Sequence, residues 1–78
     1  MKNLGGNTYQ LENEERFTDH WVPAANVAAP EIVKVESMDV NGEIFVLFHG
    51  VTTGNKVGVP LSSLDESVCK VIRRSIEG

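Results

Sequence analysis

The sequence predicts a small α+β domain, in which an antiparallel sheet of three to five strands carries one C-terminal helix on one face. Asn41-Gly42 lies between two runs rich in Val, Ile and Phe, 31–40 and 43–49. Asn-Gly favours a type I′ turn, because both of its central residues need a positive φ. Residues 64–77 carry apolar residues at helical spacing. The two patterns together predict a hairpin covered by a helix.

The N-terminal third has weaker signals. Residues 1–8 contain Gly5-Gly6-Asn7 and little to bury, which predicts a flexible tail before a single domain over residues 9–78. Tyr9–Val22 alternates apolar and polar residues, which indicates one or two short strands, although Leu11–Phe17 also fits a helical turn. Pro23 ends this region, because proline lacks the donor that an interior strand needs. Residues 24–30 are predicted to form a connecting loop or a short turn of helix.

The Asn41-Gly42 turn fixes the pairing of its two flanking strands, so that Met38 faces Phe45 and Val40 faces Glu43. Side chains alternate between the two faces of a strand. The first face, which we expect to be core, collects Val33, Val35, Ile44, Val46 and Phe48. The second face mixes charged side chains with Met38, Val40, Phe45 and Leu47. Because it is half apolar, we expect something to cover it partly, either a second copy in a homodimer or a partner protein.

A second turn and a third strand follow this hairpin. Gly50–Asn55 is predicted to be the turn and Lys56–Val59 the returning strand. Gly58 has no side chain, so an aromatic ring such as that of Trp21 or Phe45 can lie across it. Pro60 places the end of this strand at a sheet edge.

The C-terminal helix has a predicted start and a predicted buried face. Ser62 and Ser63 can each cap it, with Asp65 and Glu66 three residues later completing a capping box. One apolar stripe is predicted to pack on the sheet, formed by Leu64, Val68, Val71, Ile72 and Ile76.

The order of strand, Asn-Gly turn, strand, turn, short strand and helical turn over residues 31–64 resembles Tudor and other SH3-like barrels in topology. In such a barrel, Phe48-His49-Gly50 falls where a methyl-lysine cage needs several aromatic residues and an acid. The sequence lacks those aromatics at that place, so the resemblance does not imply methyl-lysine recognition.

Composition limits the class of function. The net charge is −4 over 78 residues, and no basic stripe is present. Phosphate neutralisation supplies most of the affinity for nucleic acid, so direct nucleic-acid binding is disfavoured. The single cysteine, Cys69, excludes an internal disulfide and suits a reducing cytoplasm. We find no signal-peptide pattern and no apolar stretch near the ~20 residues that span a membrane.

No motif predicts catalysis, a metal or a cofactor. His20, His49 and Cys69 match no zinc-ligand spacing, and a zinc site normally needs four ligands. Cys69 falls inside the predicted helix beside Val68, where it is expected to be a small packed residue rather than a nucleophile.

The candidate partner-binding site is acidic and aromatic. Aromatic anchors beside charge are typical of protein–protein hot spots, whereas the alternative is that Trp21 fills the core. The predicted set comprises Tyr9, Glu12, Glu14, Glu15, Phe17, Asp19 and Trp21.

The leading hypothesis is a small acidic protein that binds a larger protein. By association with other short acidic domains, we expect an inhibitor or regulator of the kind that phages and mobile elements carry. A nucleic-acid-handling partner would suit it, because the negative surface has the charge sign of phosphate. The alternative hypothesis is a structural or assembly subunit that uses the second face of the sheet to form an oligomer or a larger particle.

Overall fold

The computed structural model describes the backbone of residues 1–77 and the side chains of residues 1–74. The elements are β1 Lys2–Gly5, β2 Thr8–Gln10, β3 Arg16–Thr18, β4 Asn26–Ala28, β5 Ile32–Val40, β6 Glu43–Gly50, β7 Lys56–Pro60, a 3-10 turn Leu61–Ser63 and α1 Glu66–Glu77. Five strands form one antiparallel sheet in the order β1-β2-β5-β6-β7, and β3 pairs with β4 in a separate two-stranded sheet. This arrangement, with one C-terminal helix, confirms the predicted α+β fold class.

The central hairpin has the predicted turn and register. Asn41 and Gly42 have φ values of 52° and 85°, as a type I′ turn requires. Met38 pairs with Phe45, and the register continues without a shift from Val33 and Gly50 to Val40 and Glu43. The Asp39 carboxylate accepts a hydrogen bond from the Gly42 N–H at 2.9 Å, which stabilises the turn.

The hydrophobic core lies on the first face of the sheet. The β3–β4 hairpin contributes Phe17, whose ring stacks on that of Phe48 with centroids 4.3 Å apart and planes 6° apart. Helix α1 contributes Val68 and Ile72, so the predicted packing of the helix on one face is confirmed. The buried cluster comprises Tyr9, Leu11, Val27, Val33, Val35, Val46, Phe48, Val57, Val59, Val68 and Ile72.

The prediction that Ile44 belongs to the core is wrong. Ile44 is 42% exposed, although it lies on the same face as Val46. It pairs with the exposed Asp39 beside the turn, at the end of the hairpin that neither α1 nor the β3–β4 hairpin covers. Alternation correctly assigned Ile44 to this face, but it could not show where the cover ends.

The N-terminal segment differs from the expected flexible tail. Lys2 pairs with Gln10 and Asn3 with Tyr9, so residues 2–5 form the outermost strand of the sheet, β1. The two glycines that suggested a tail supply the turn instead, with φ values of 123° at Gly5 and 55° at Gly6. All four residues of β1 are nevertheless exposed.

Residues 24–30 are not the predicted loop or helical turn. They contain β4, which pairs with β3 through Phe17 and Val27. Of the one or two short strands predicted within Tyr9–Val22, the structure has two: the end of β2 and the whole of β3. The local sequence, which consists of small apolar residues between two prolines, has no strand pattern. The segment is extended because it pairs with β3.

The predicted capping box at Ser62 and Ser63 is wrong. Ser62 and Ser63 belong to the 3-10 turn, and α1 begins only at Glu66. The carbonyl of Asp65 accepts the Cys69 N–H at 2.8 Å, which makes Asp65 the residue at the helix start. The Ile76 side chain lies outside the described side chains, and Gly78 lies outside the described residues. Over residues 1–77, no helix is long and apolar enough to cross a membrane.

Candidate functional site

The second face of the sheet is partly covered by the loop that follows β3. The six-membered ring of Trp21 lies directly on Gly58 of β7, where an added Cβ atom would collide with the ring. This confirms the prediction that an aromatic ring crosses Gly58, and it identifies Trp21 as that ring. Gly58 pairs with Leu47, so the ring lies above the middle of the β6–β7 ladder.

Trp21 belongs to a cluster of three rings, which we call the aromatic patch: His20, Trp21 and Phe45. The Trp21 and Phe45 rings stack with centroids 4.8 Å apart and planes 20° apart. The His20 ring meets both edge-on, at 5.6 Å from Trp21 and 5.4 Å from Phe45. Phe45 is only 4% exposed, whereas Trp21 is 51% exposed. One side of the indole is therefore packed, while much of the rest is open to solvent.

Asp19 fixes the loop that carries the aromatic patch. It is 8% exposed, and one carboxylate oxygen accepts the Gly58 N–H at 2.6 Å. The other oxygen accepts the N–H groups of Trp21 at 3.0 Å and Val22 at 2.5 Å. The His20 N–H donates to the Gly58 carbonyl at 2.8 Å. Both outward-facing backbone groups of Gly58 are thus bonded to this loop, which also covers the edge of β7.

The charge of Asp19 is stabilised by backbone donors. Burial acts to raise the pKa of this carboxyl group, but the N–H groups of Gly58, Val22 and Trp21, with a small contribution from His20, outweigh burial. The pKa of Asp19 therefore lies below its ordinary value of 3.8. Asp19 is ionised at neutral pH, and its oxygens are directed at the backbone rather than at a partner.

The structure places three of the predicted site residues in the interior. Tyr9 is 3% exposed and belongs to the core, and the partly buried Phe17 stacks on Phe48. Asp19 is the buried anchor of the loop. Of the three predicted aromatic anchors, only Trp21 presents a large exposed surface.

The predicted glutamates lie together in the turn between β2 and β3, apart from the aromatic patch. Glu12 and Glu14 are exposed. Glu15 is half-buried, and its carboxylate accepts the Glu12 N–H and the N-terminal amine of Met1, each at 2.7 Å. Two of the four predicted acids, Glu15 and Asp19, therefore hold the backbone, and the other two form surface.

Sequence reasoning placed Met38 and Phe45 on the second face, but it did not include them, or His20, in the predicted acidic and aromatic site. Met38 pairs with Phe45 and is 39% exposed, so it extends the apolar surface from the aromatic patch toward the next strand. The signal for Phe45 and Met38 was the hairpin register, which already placed both on the second face. No sequence signal placed His20 against the two rings.

The candidate ligands for a metal do not converge. His49 lies on the second face, paired with Lys34 on one side and Lys56 on the other. The Cys69 thiol lies on α1 and donates to the Leu61 carbonyl at 3.2 Å. Among the described residues, no group of three or more His, Cys, Asp or Glu side chains is placed to hold a metal ion.

A surface depression of about 460 Å³ lies at the end of the sheet opposite the Asn41-Gly42 turn. The one carboxylate in its lining, that of Glu31, accepts hydrogen bonds from the Thr53 hydroxyl at 2.6 Å and the Thr53 N–H at 3.3 Å. A single carboxylate that is already bonded does not form the pair of acids that glycoside hydrolysis uses.

Comparisons of this chain with protein-family models, with curated proteins and with solved structures found no match. The function is therefore inferred from the residues themselves, and the aromatic patch is the candidate site.

Proposed function

We propose that this chain is a small protein-binding protein that recognises its partner through the aromatic patch. The observation that carries the proposal is the placement of Trp21, which is half exposed although its loop is fixed by four hydrogen bonds. Tryptophan is enriched at the energetic centres of protein interfaces. A ring that is already immobilised loses little further entropy on binding, so its contact area contributes efficiently to affinity.

The anchoring of Trp21 supports a role outside the core. Burying a carboxylate costs free energy unless hydrogen bonds compensate for the lost water. In this chain, Asp19 holds an indole on the far face of the sheet, while the core on the first face is closed by α1 and the β3–β4 hairpin. A stability role alone would favour burial of the whole indole, because hydrophobic stabilisation is roughly proportional to the apolar area removed from water.

Within this class, we propose a regulator or inhibitor that occupies a surface of a larger protein. The two exposed acids, Glu12 and Glu14, and the net charge of −4 suit a basic partner surface. Their contribution is secondary to that of Trp21, because exposed charges mainly change the association rate and its dependence on salt.

Self-association is a second candidate, favoured by the exposure of Met38 beside the aromatic patch. In that case the chain is an assembly subunit, and the partner is a second copy. Light scattering on the purified chain separates the two, because an assembly subunit forms a stable oligomer without any other protein. Met38→Lys then dissociates the oligomer, whereas the more buried Phe45 is unsuitable for this test because its substitution also disturbs the fold.

The proposal is tested by a matched pair of alanine variants. The partner is captured from host lysate with the wild-type chain, identified by mass spectrometry, purified and titrated with each variant. We expect Trp21→Ala to weaken binding by about 30-fold or more, equivalent to about 2 kcal/mol. Val51→Ala removes a comparably exposed apolar side chain from the β6–β7 turn and should leave the affinity within about twofold.

Two results would contradict the proposal. Unchanged affinity of Trp21→Ala excludes the aromatic patch as the recognition surface. A large loss with the double variant Glu12→Lys/Glu14→Lys, combined with no loss for Trp21→Ala, assigns recognition to the acidic turn. These two acids are suitable for charge reversal, because Glu15 and Asp19 bond to the backbone and their reversal would disturb the fold.

A further inference from the structure

Among residues 1–77, part of the outer edge of β5 has no neighbouring strand. β2 pairs with it only from Ile32 to Lys34. Asn7 then bonds both backbone groups of Val35, because its carbonyl accepts the Val35 N–H at 2.8 Å and its side-chain amide donates to the Val35 carbonyl at 3.2 Å. Beyond this point, residues 36–40 pair with β6 on one side, and no described strand pairs with them on the other.

The alternation of hydrogen bonds along a strand identifies the groups at this edge. The Val35 N–H is directed at Asn7 and away from β6, so the backbone groups of Ser37 and Asp39 also face outward. Those of Glu36, Met38 and Val40 face β6. Ser37 and Asp39 therefore place two N–H and two C=O groups along the open edge, and the two residues lie about 7 Å apart along the strand.

The side chains beside the edge are acidic or apolar. Glu36 and Met38 lie on the second face and Asp39 on the first, all of them exposed, while Glu43 is paired with Val40 at the end of the hairpin. Residues 35–48 contain no Lys, Arg or His. An incoming strand would therefore meet negative charge on both of its faces.

We propose that residues 36–40 bind an extended basic segment of the partner protein, which adds to the sheet as an antiparallel strand. Its backbone pairs with Ser37 and Asp39. Its side chains opposite Glu36 and Asp39 are basic, and the one opposite Met38 is apolar. The inference rests on the proposed function, because it names the chemistry of the partner. Strand addition is an established mode of peptide recognition, in which the backbone supplies affinity and alternate side chains supply specificity.

Charge argues against a second copy as the occupant. If two β5 edges paired antiparallel about Met38, both copies of Glu36 and Asp39 would gather at the new ladder. The two Asp39 carboxylates would then lie diagonal to each other on the first face, about 7–8 Å apart, and each Glu36 would face Val40 instead of a cation, because residues 35–48 contain none. Like charges across a strand pair are destabilising, and inward-facing charges are a known means of preventing edge-to-edge association.

The edge is continuous with the aromatic patch. Met38 lies beside Phe45, and the Phe45 ring stacks on Trp21. An apolar side chain opposite Met38 would extend the apolar surface of Trp21, Phe45 and Met38 by one strand. A single partner segment on the edge would therefore bring the rest of the partner over Trp21.

The probe for this proposal is the blocked heptapeptide Thr-Val-Lys-Val-Thr-Lys-Thr. In antiparallel register, it places Lys opposite Asp39 and Glu36 and Val opposite Met38. Hydrogen exchange at single amides is measured by NMR with and without the peptide. In the free chain, we expect fast exchange at Ser37 and Asp39 and slower exchange at Glu36 and Met38, because only the latter two donate to β6. Saturating peptide should slow exchange at Ser37 and Asp39 by about tenfold or more.

Two control peptides separate backbone pairing from general charge attraction. One replaces both Lys residues by Glu, and the other is N-methylated at its first Lys and its second Thr, whose amides would bond to the edge. We expect each to bind about tenfold more weakly or worse. On the protein side, Ser37→Pro removes an outward N–H, and Glu36→Lys reverses a charge without a backbone change. Each should weaken binding similarly, while Glu66→Lys, which reverses an exposed acid on α1, leaves it within about twofold.

Several results would overturn the inference. Absence of peptide binding, or binding that leaves exchange at Ser37 and Asp39 unchanged, excludes strand addition at this edge. Equal affinity for the Lys and Glu peptides excludes a basic occupant. Protection of Ser37 and Asp39 that grows with concentration of the free chain assigns the edge to a second copy. Val51→Ala, on the exposed β6–β7 turn, should leave peptide binding within about twofold. Peptide binding tests the edge, whereas binding of the whole partner by Trp21→Ala tests the aromatic patch, so the two proposals fail in different titrations.

Discussion

The two faces of the five-stranded sheet are covered by different physical means. The first face is closed by apolar packing, in which α1 and the β3–β4 hairpin bury Phe48 and its neighbours. The second face is covered at its centre by one loop, which the carboxylate of Asp19 holds in place and whose Trp21 ring lies on Gly58. Apolar packing removes surface from water without fixing direction, whereas hydrogen bonds fix the position of an exposed ring. The first face therefore contributes mainly stability, whereas the second face holds a partly exposed aromatic ring in a fixed position.

Phe48→Ala should have the largest effect on stability. The Phe48 side chain is fully buried and stacked on Phe17, so truncation removes a large apolar group and leaves a cavity. We expect a loss of about 3–5 kcal/mol in the free energy of unfolding, measured by denaturant titration. Domains of this size have only about 4–12 kcal/mol in total, so the variant should be close to unfolding at room temperature.

The matched control is Val51→Ala on the exposed β6–β7 turn, which should change the free energy of unfolding by less than about 0.5 kcal/mol. If Phe48→Ala costs less than about 1 kcal/mol, the first face is not the principal core, and the comparison of the two faces fails.

The first face was largely predictable, because it depends on local rules. Asn41-Gly42 needs two positive φ values, which fixes the turn, and alternation then assigns each neighbour to a face. Ile44 was predicted wrongly because the extent of cover is a tertiary property. Gly5-Gly6 was read as a tail for the same reason: the pair forms a turn here because β1 pairs with β2.

The second face was predictable only in part. The absence of a side chain at Gly58 correctly indicated an overlying ring, with Trp21 and Phe45 as the two candidates, and the hairpin register placed Phe45 on the same face. The role of Asp19 could not be read from the sequence, because one of its donors is the N–H of Gly58, 39 positions away. An acid near aromatic residues is typical of a binding surface, and nothing local distinguishes it from a buried anchor.

Asp19→Ala should have the second-largest effect, and its effect should be concentrated on the second face. The substitution leaves the buried Gly58 N–H without its acceptor and frees the loop that carries Trp21. We expect a loss of about 2–3 kcal/mol in the free energy of unfolding, since hydrogen bonds to charged groups are among the stronger ones. Tryptophan emission should shift to longer wavelength in the folded variant, because the chain has one tryptophan and its ring would gain solvent contact.

Acid should reproduce this effect in the wild-type chain. The pKa of Asp19 is lowered in the folded state, so its carboxylate adds stability that is fully present above the unfolded value of 3.8 and is lost as the pH falls through the folded pKa. Asp19→Asn lacks this ionisation. The stability difference between wild type and Asp19→Asn should be constant near neutrality and narrow below about pH 4. A difference that stays constant down to about pH 2 would exclude Asp19 as the charged anchor.

Gly58→Ala should have the smallest effect on stability and the most specific effect on the aromatic patch. The added Cβ would collide with the Trp21 ring and approach Leu47 to 3.2 Å. Gly58 does not have a positive φ, so the backbone accepts alanine and the cost is steric. We expect a loss of about 1–2 kcal/mol in the wild-type background and less than about 0.5 kcal/mol in a Trp21→Ala background.

This double-mutant cycle tests position separately from composition. Gly58→Ala retains every side chain of the aromatic patch and displaces only the indole. If recognition depends on the fixed position of Trp21, the partner should bind this variant more weakly, although the tryptophan is still present. Equal stability costs in the two backgrounds would mean that the ring does not lie on Gly58. Full binding by Gly58→Ala, together with lost binding by Trp21→Ala, would mean that recognition requires an exposed indole but not its fixed position. The difference between the first face and the second face would then concern stability alone.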